Sequence, residues 1–90
     1  MEHINHEFDA DEGDVAEVII DRAANVLLLD EPNYELYKQG GEFHHLGGYA
    51  TKSPIRWKVP KSGRWHAVVD LGGGPGQVRS FFQLIARVPA

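Results

Sequence analysis

The sequence predicts an all-β domain, a small antiparallel β-sandwich or barrel with one short helix, in which residues 1–90 form a single β-rich unit. Three observations carry this expectation. Apolar and polar residues alternate with a period of two through residues 55–59, 65–71 and 78–88. Clusters of glycine, proline and aspartate at 11–14, 60–63 and 72–76 separate the alternating segments as turns do. Only residues 30–40 carry the start and stop signals of a helix.

Taken in order, weaker strand patterns cover about 4–8, 15–22 and 25–29, with turns at 11–14 and 23–25. The helix follows, with Asp30 or Asn33 as its capping side chain, Pro32 in its first turn and Gly40 as its stop. Two turns of helix are marginal alone, so this segment must dock on the sheet. Residues 43–49 read as a short strand or loop ending in a glycine turn. In 55–59 the alternation is cleanest, and Gly63 can take the positive φ that closes a hairpin into the next strand. That strand, 64–71, sets Trp65, Ala67, Val69 and Leu71 on one side and His66, Val68 and Asp70 on the other. Residues 72–76 cannot continue it and form a tight turn into a last strand over 77–88. The C-terminal half is therefore expected to be a three-stranded antiparallel meander. Trp57 and Trp65 fall in register with aliphatic residues and are expected in the core or as cross-strand partners. Phe81 and Ile85 interrupt the polar face of the last strand, which marks that strand as central or covered at an interface.

Ninety residues allow one core, burying roughly 60–65% of the surface of the unfolded chain. There is no cysteine, which excludes a disulfide framework and a thiolate zinc site. No apolar run is long enough for a membrane span, and Met1-Glu2-His3 lacks the order of a secretion signal, so the expected location is cytoplasmic. The net charge of −4 hides an asymmetry: residues 1–50 carry twelve acids against Arg22 and Lys38, and residues 51–90 carry seven bases against Asp70 alone. Acidic strands lying beside basic ones would absorb this, and self-association or an acidic partner would exploit it. Arg56, Lys58, Lys61 and Arg64 around Trp57 and Trp65 are a combination that can stack bases, but the overall negative charge argues against nucleic acid.

Five histidines, His3, His6, His44, His45 and His66, invite a metal reading. A catalytic zinc site needs three ligands converging on one point. His3 and His6 are three apart and fall on opposite faces of a strand, and His44 and His45 diverge if extended. His66 and Asp70 share a face but stand roughly 13 Å apart along it. No metal and no cofactor is expected from these spacings. No serine sits in a nucleophile elbow, and the glycine turn lacks the Gly-Lys-Ser/Thr ending of a phosphate loop.

The remaining candidates cluster between the helix and the following glycines. Tyr34 and Tyr37 share a helix face, His44, His45 and Tyr49 follow in the next segment, and Arg56 or His66 can join from the neighbouring hairpin. Aromatic walls with a few polar groups suit an unknown small molecule or protein partner. The ordered set Asn25-Val26 with a following Leu-Leu-Asp, Asn33-Tyr34, Tyr37, Gly40, Gly47-Gly48, Ser53-Pro54, Pro60-Lys61-Ser62-Gly63, Trp65-His66 and 68–73 resembles the bacterial family of domain of unknown function 1883 over nearly the whole chain. It departs from that pattern around 42–45. The resemblance implies a small β-rich domain, found alone or joined to a TIR domain, with no established activity. Two function classes follow: a non-enzymatic ligand-binding or interaction module, sensing or self-associating in bacterial signalling or defence, and a small metal-dependent or histidine-based hydrolase.

Overall fold

Alternation gives each strand one apolar face, and burying those faces against one another builds two sheets. The computed structural model describes residues 2–88. Strands β1 (Ile4–Ala10), β2 (Val15–Ile20) and β3 (Ala24–Asp30) lead into helix α1 (Glu31–Gln39). Strands β4 (Leu46–Ala50), β5 (Ile55–Lys58), β6 (Gly63–Asp70) and β7 (Ser80–Ile85) follow. The four-stranded sheet has the order β1-β6-β3-β4, the three-stranded sheet β5-β2-β7, and every pairing is antiparallel. The sheets pack face to face as an unclosed sandwich, which decides between the two expected architectures.

Val18 and Ile20 from one sheet meet Val26, Ala67 and Val69 from the other, all buried. Leu28, Ala16, Val59 and Trp65 continue this core, and the half-buried Trp57 packs against it from the three-stranded sheet. A second apolar layer lies on the other side of the four-stranded sheet, where Leu27, Leu29 and Val68 meet Tyr34 of α1. The helix begins as its sequence signals require. Asp30 accepts from the Asn33 amide at 3.1 Å, Pro32 lies in the first turn, and Gly40 ends the helix at φ 77°.

The expected C-terminal meander is not formed. Strand β5 pairs with β2, Ile55 opposite Val18, and β6 lies in the other sheet between β1 and β3. Backbone bonds from Val59 N to Asp14 O and from Gly13 N to Val59 O hold the end of β5 against the start of β2. Residues 60–62 therefore cross between sheets rather than closing a hairpin, and residues 71–79 cross back to β7. The last strand is shorter than expected and lies at an edge rather than centrally. Alternation shows which face of a strand is buried, not which strand lies beside it.

Residues 43–49, expected as a short strand or loop ending in a glycine turn, contribute most of the short strand β4, which runs through its glycines rather than turning at them. Gly47 sits at φ 87°, and a Cβ there would collide with the Val26 carbonyl oxygen and come within 2.9 Å of Trp57 Cζ2. Gly48 has open space around its Cβ position. Gly47→Ala should therefore lose at least about 1–3 kcal/mol in urea unfolding through backbone strain, while Gly48→Ala stays within about 1 kcal/mol of wild type. Equal effects of the two substitutions would contradict this placement of β4.

Candidate functional site

Strand β6 carries its polar residues on the face that α1 covers. His66 and Asp70 are only 2% and 4% exposed, so each must find partners within the protein. The helix and the flanking strands supply them. Tyr37 donates its hydroxyl to Asp70 Oδ2 at 2.6 Å, while Asn25 Nδ2 and the Gly72 amide donate to Oδ1 at 2.8 and 2.9 Å. Burial alone would raise the Asp70 carboxyl; the Tyr37, Asn25 and Gly72 hydrogen bonds override it and hold the group below its ordinary value. The Tyr37 hydroxyl is pushed up, first by burial and then by its bond to Asp70.

His66 makes a contact through each ring nitrogen, Nε2 to Glu31 Oε2 at 2.6 Å and Nδ1 to Asn5 Oδ1 at 3.0 Å. Tyr34 stacks on its ring with centroids 3.9 Å apart, and the Tyr34 hydroxyl meets His3 Nε2 at 2.9 Å. Pairing of β1 with β6 sets Glu7 directly opposite His66. One ligand atom each from Glu7, Glu31 and His66 lies within 4.8 Å of the other two. Glu7 also accepts from Arg64 Nη1 at 2.8 Å, and Arg64 Nε reaches Asp9 at 3.0 Å. His6 points the other way, into the sandwich, where it meets Ser80 Oγ at 2.8 Å and stacks on Phe82; burial lowers its pKa.

Tyr34, Tyr37 and His66 are thus brought together, as an anchor for α1. Phe43 packs edge-on to Tyr37, and His45 lies beside Phe43 on the exposed segment after the helix. His44 is exposed too, its amide bonded to Asn33 Oδ1. Tyr49 stands opposite Asn25 on β4 and is 72% exposed. Arg56 does not join them: it lies on the far side of the three-stranded sheet, where it donates to Glu17 at 2.7 Å. Sequence reasoning missed Glu7 and Glu31. Alternation turns Glu7 outward, but its closeness to His66 depends on the β1–β6 register, which no local signal encodes. A cleft of about 360 Å³ opens beside residues 73–76, walled by Ile4, Val69, Leu71 and Val78 with His3 and Asp70 at its polar end.

Among the described residues, no helix lies over the outer face of the three-stranded sheet. By the strand registers it presents Glu17 and Ile19 from β2, Arg56 and Lys58 from β5, and Phe81, Gln83 and Ile85 from β7. Glu17 is buried beneath this layer and accepts from both Arg56 and Gln83, whose hydrogen bonds hold its carboxyl below the ordinary range. Phe81 is 73% exposed, with Ile19 and Ile85 partly exposed beside it. Among the described residues β7 pairs only with β2.

Because the folded carboxyls of Asp70 and Glu17 titrate below their unfolded values, the stability they contribute is present above the unfolded pKa and is lost as pH falls through the folded one. Tyr37→Phe removes one of the donors that depress Asp70. It should lower stability at neutral pH by about 1–3 kcal/mol and reduce the further loss on acidification. Urea midpoints at neutral pH and near pH 3 test this; an unchanged acid sensitivity in the variant would contradict it.

A family model, Domain of unknown function (DUF1883), matches residues 1–88. No curated protein matches the chain, and no solved structure matches it.

Proposed function

The chain belongs to the Domain of unknown function (DUF1883) family, and from that membership and the bare three-stranded sheet we propose that it is a protein-interaction module that associates with a second copy of itself along β7. The observation that carries this reading is the character of that edge. Edge strands present unpaired backbone groups, and proteins usually blunt them with charge, proline, irregular backbone such as a bulge, or short length. Strand β1 carries Glu7 and Asp9, β4 is five residues long with Gly47 at φ 87°, and β5 is four residues long with Arg56 and Lys58. Strand β7, Ser-Phe-Phe-Gln-Leu-Ile, has none of these devices.

The strand is also complementary to itself. An antiparallel two-fold centred on Gln83 sets Phe81 opposite Ile85 of the second copy on the outer face, and Phe82 opposite Leu84 of the second copy on the inner face. Aromatic–aliphatic cross-strand pairs of this kind stabilise a sheet, and the two-fold closes the interface. A six-stranded sheet results, and the exposed apolar side chains of both copies become neighbours. Binding rather than catalysis is the role this reading assigns, because Asp70, Tyr34 and Tyr37 are occupied in holding α1. Placing it in bacterial sensing or defence extends the same proposal through the resemblance to domains joined to TIR domains.

Phe81→Lys places a charge on the exposed edge without removing a buried contact. Wild type should sediment above the 10.0 kDa monomer at micromolar concentration, and the variant as a monomer that keeps the wild-type circular dichroism spectrum. A wild-type monomer at both low and high salt would overturn the proposal.

A further inference from the structure

We propose that Glu7, Glu31 and His66 form a binding site for a divalent transition metal of the zinc type. The three residues come from β1, α1 and β6, and their ligand atoms already lie within 4.8 Å of one another. The site lies on the four-stranded sheet and stands apart from the pairing of β7.

His66 is the observation that separates this cluster from a patch of surface acids. Its side chain is 3% exposed, its ring is clamped by Tyr34, and its Nδ1 faces the Asn5 amide oxygen. An amide oxygen only accepts, so Nδ1 carries the hydrogen. In the neutral ring that leaves the Nε2 lone pair aimed at Glu31 Oε2, 2.6 Å away. A hydrogen on Nε2 makes this contact an imidazole–carboxylate hydrogen bond, and a metal ion binding between the two atoms takes that hydrogen's place. A ligating imidazole whose other nitrogen is fixed by a neighbouring oxygen is the usual arrangement at a metal.

The geometry is close to what a metal requires. Zinc bonds of about 2.0–2.2 Å set tetrahedral ligand atoms roughly 3.3–3.5 Å apart. The His66–Glu31 contact must open by less than about 1 Å, and the wider separations must close by up to roughly 1.5 Å. The glutamates can supply this movement, since both side chains are exposed and have room to turn, while the imidazole is buried. Arg64 keeps Asp9 through Nε and Nη2 when Glu7 turns to the ion. One imidazole and two carboxylates suit a borderline metal better than calcium, which takes six to eight oxygens. Three protein ligands leave a coordination position for water.

The test uses the full chain, stripped with chelator and titrated with zinc by calorimetry, with cobalt as a visible-absorption probe. Wild type should bind a single zinc ion saturably, with the His66 imidazole signals shifting in NMR spectra. Glu7→Gln and Glu31→Gln, checked for folding by circular dichroism, should each weaken binding by more than the roughly 10–100-fold expected for loss of an outer-shell partner. A combined His44→Ala, His45→Ala variant should bind as wild type does. Absence of saturable zinc binding, unchanged affinity in both glutamine variants, or loss of binding in the His44/His45 variant would each overturn the proposal.

Discussion

Because β6 runs between β1 and β3 and is covered on both faces, its two alternating sets of side chains demand two different environments. Trp65, Ala67 and Val69 enter the sandwich core, where burial is worth about 1.5–3 kcal/mol for a large apolar side chain. His66 and Asp70 enter the opposite layer, where an unpaired polar or charged group would be strongly destabilising. The helix resolves that conflict. It brings Glu31 to His66 and Tyr37 to Asp70, and Tyr34 covers the space between them with apolar surface. No buried side-chain nitrogen or oxygen among the described residues is left without a partner.

This solution spends the helix on one sheet and leaves the other bare. The two outer faces consequently differ in chemistry. Beneath α1 His66 and Asp70 are buried and paired. Over the three-stranded sheet, Phe81, Ile19 and Ile85 meet solvent around the buried Glu17, and an uncharged edge strand borders them. Part of the charge imbalance between the halves of the chain is met inside the fold, by Arg56 with Glu17, Arg64 with Glu7 and Asp9, and Lys61 with Asp30. Such exposed pairs add little stability individually, but they leave β7 as an edge whose association is governed by apolar side chains and backbone groups.

What could be read from the sequence was local. Asp30, Pro32 and Gly40 bounded the helix, alternation sorted the faces of β6 and β7, and the spacing of His3 and His6 sent them to opposite sides of β1. Sheet membership could not be read this way. Strand β5 looks like half of a hairpin with β6 because a turn joins them, yet its pairing with β2 depends on contacts some forty residues away in sequence. The same limit governed the site. Tyr34, Tyr37 and His66 converge as their positions on a docked helix and a central strand suggest. Arg56 was grouped with them through the hairpin that does not form. Glu7 and Glu31 become neighbours of His66 only once β1 has its register and α1 is docked.

The β7 pairing register can be measured directly, because the chain contains no cysteine and a single engineered one reports on its own symmetry mate. In a two-fold centred on Gln83, the two copies of that residue stand directly opposite, with Cβ atoms about 4.5–5.5 Å apart, close enough to be bridged after modest adjustment. Under mild oxidation Gln83→Cys should form a disulfide-linked dimer, and should do so much faster than Ile19→Cys, which lies on the same exposed face but on the central strand β2. No dimer from Gln83→Cys, or equal rates at the two positions, would contradict the account.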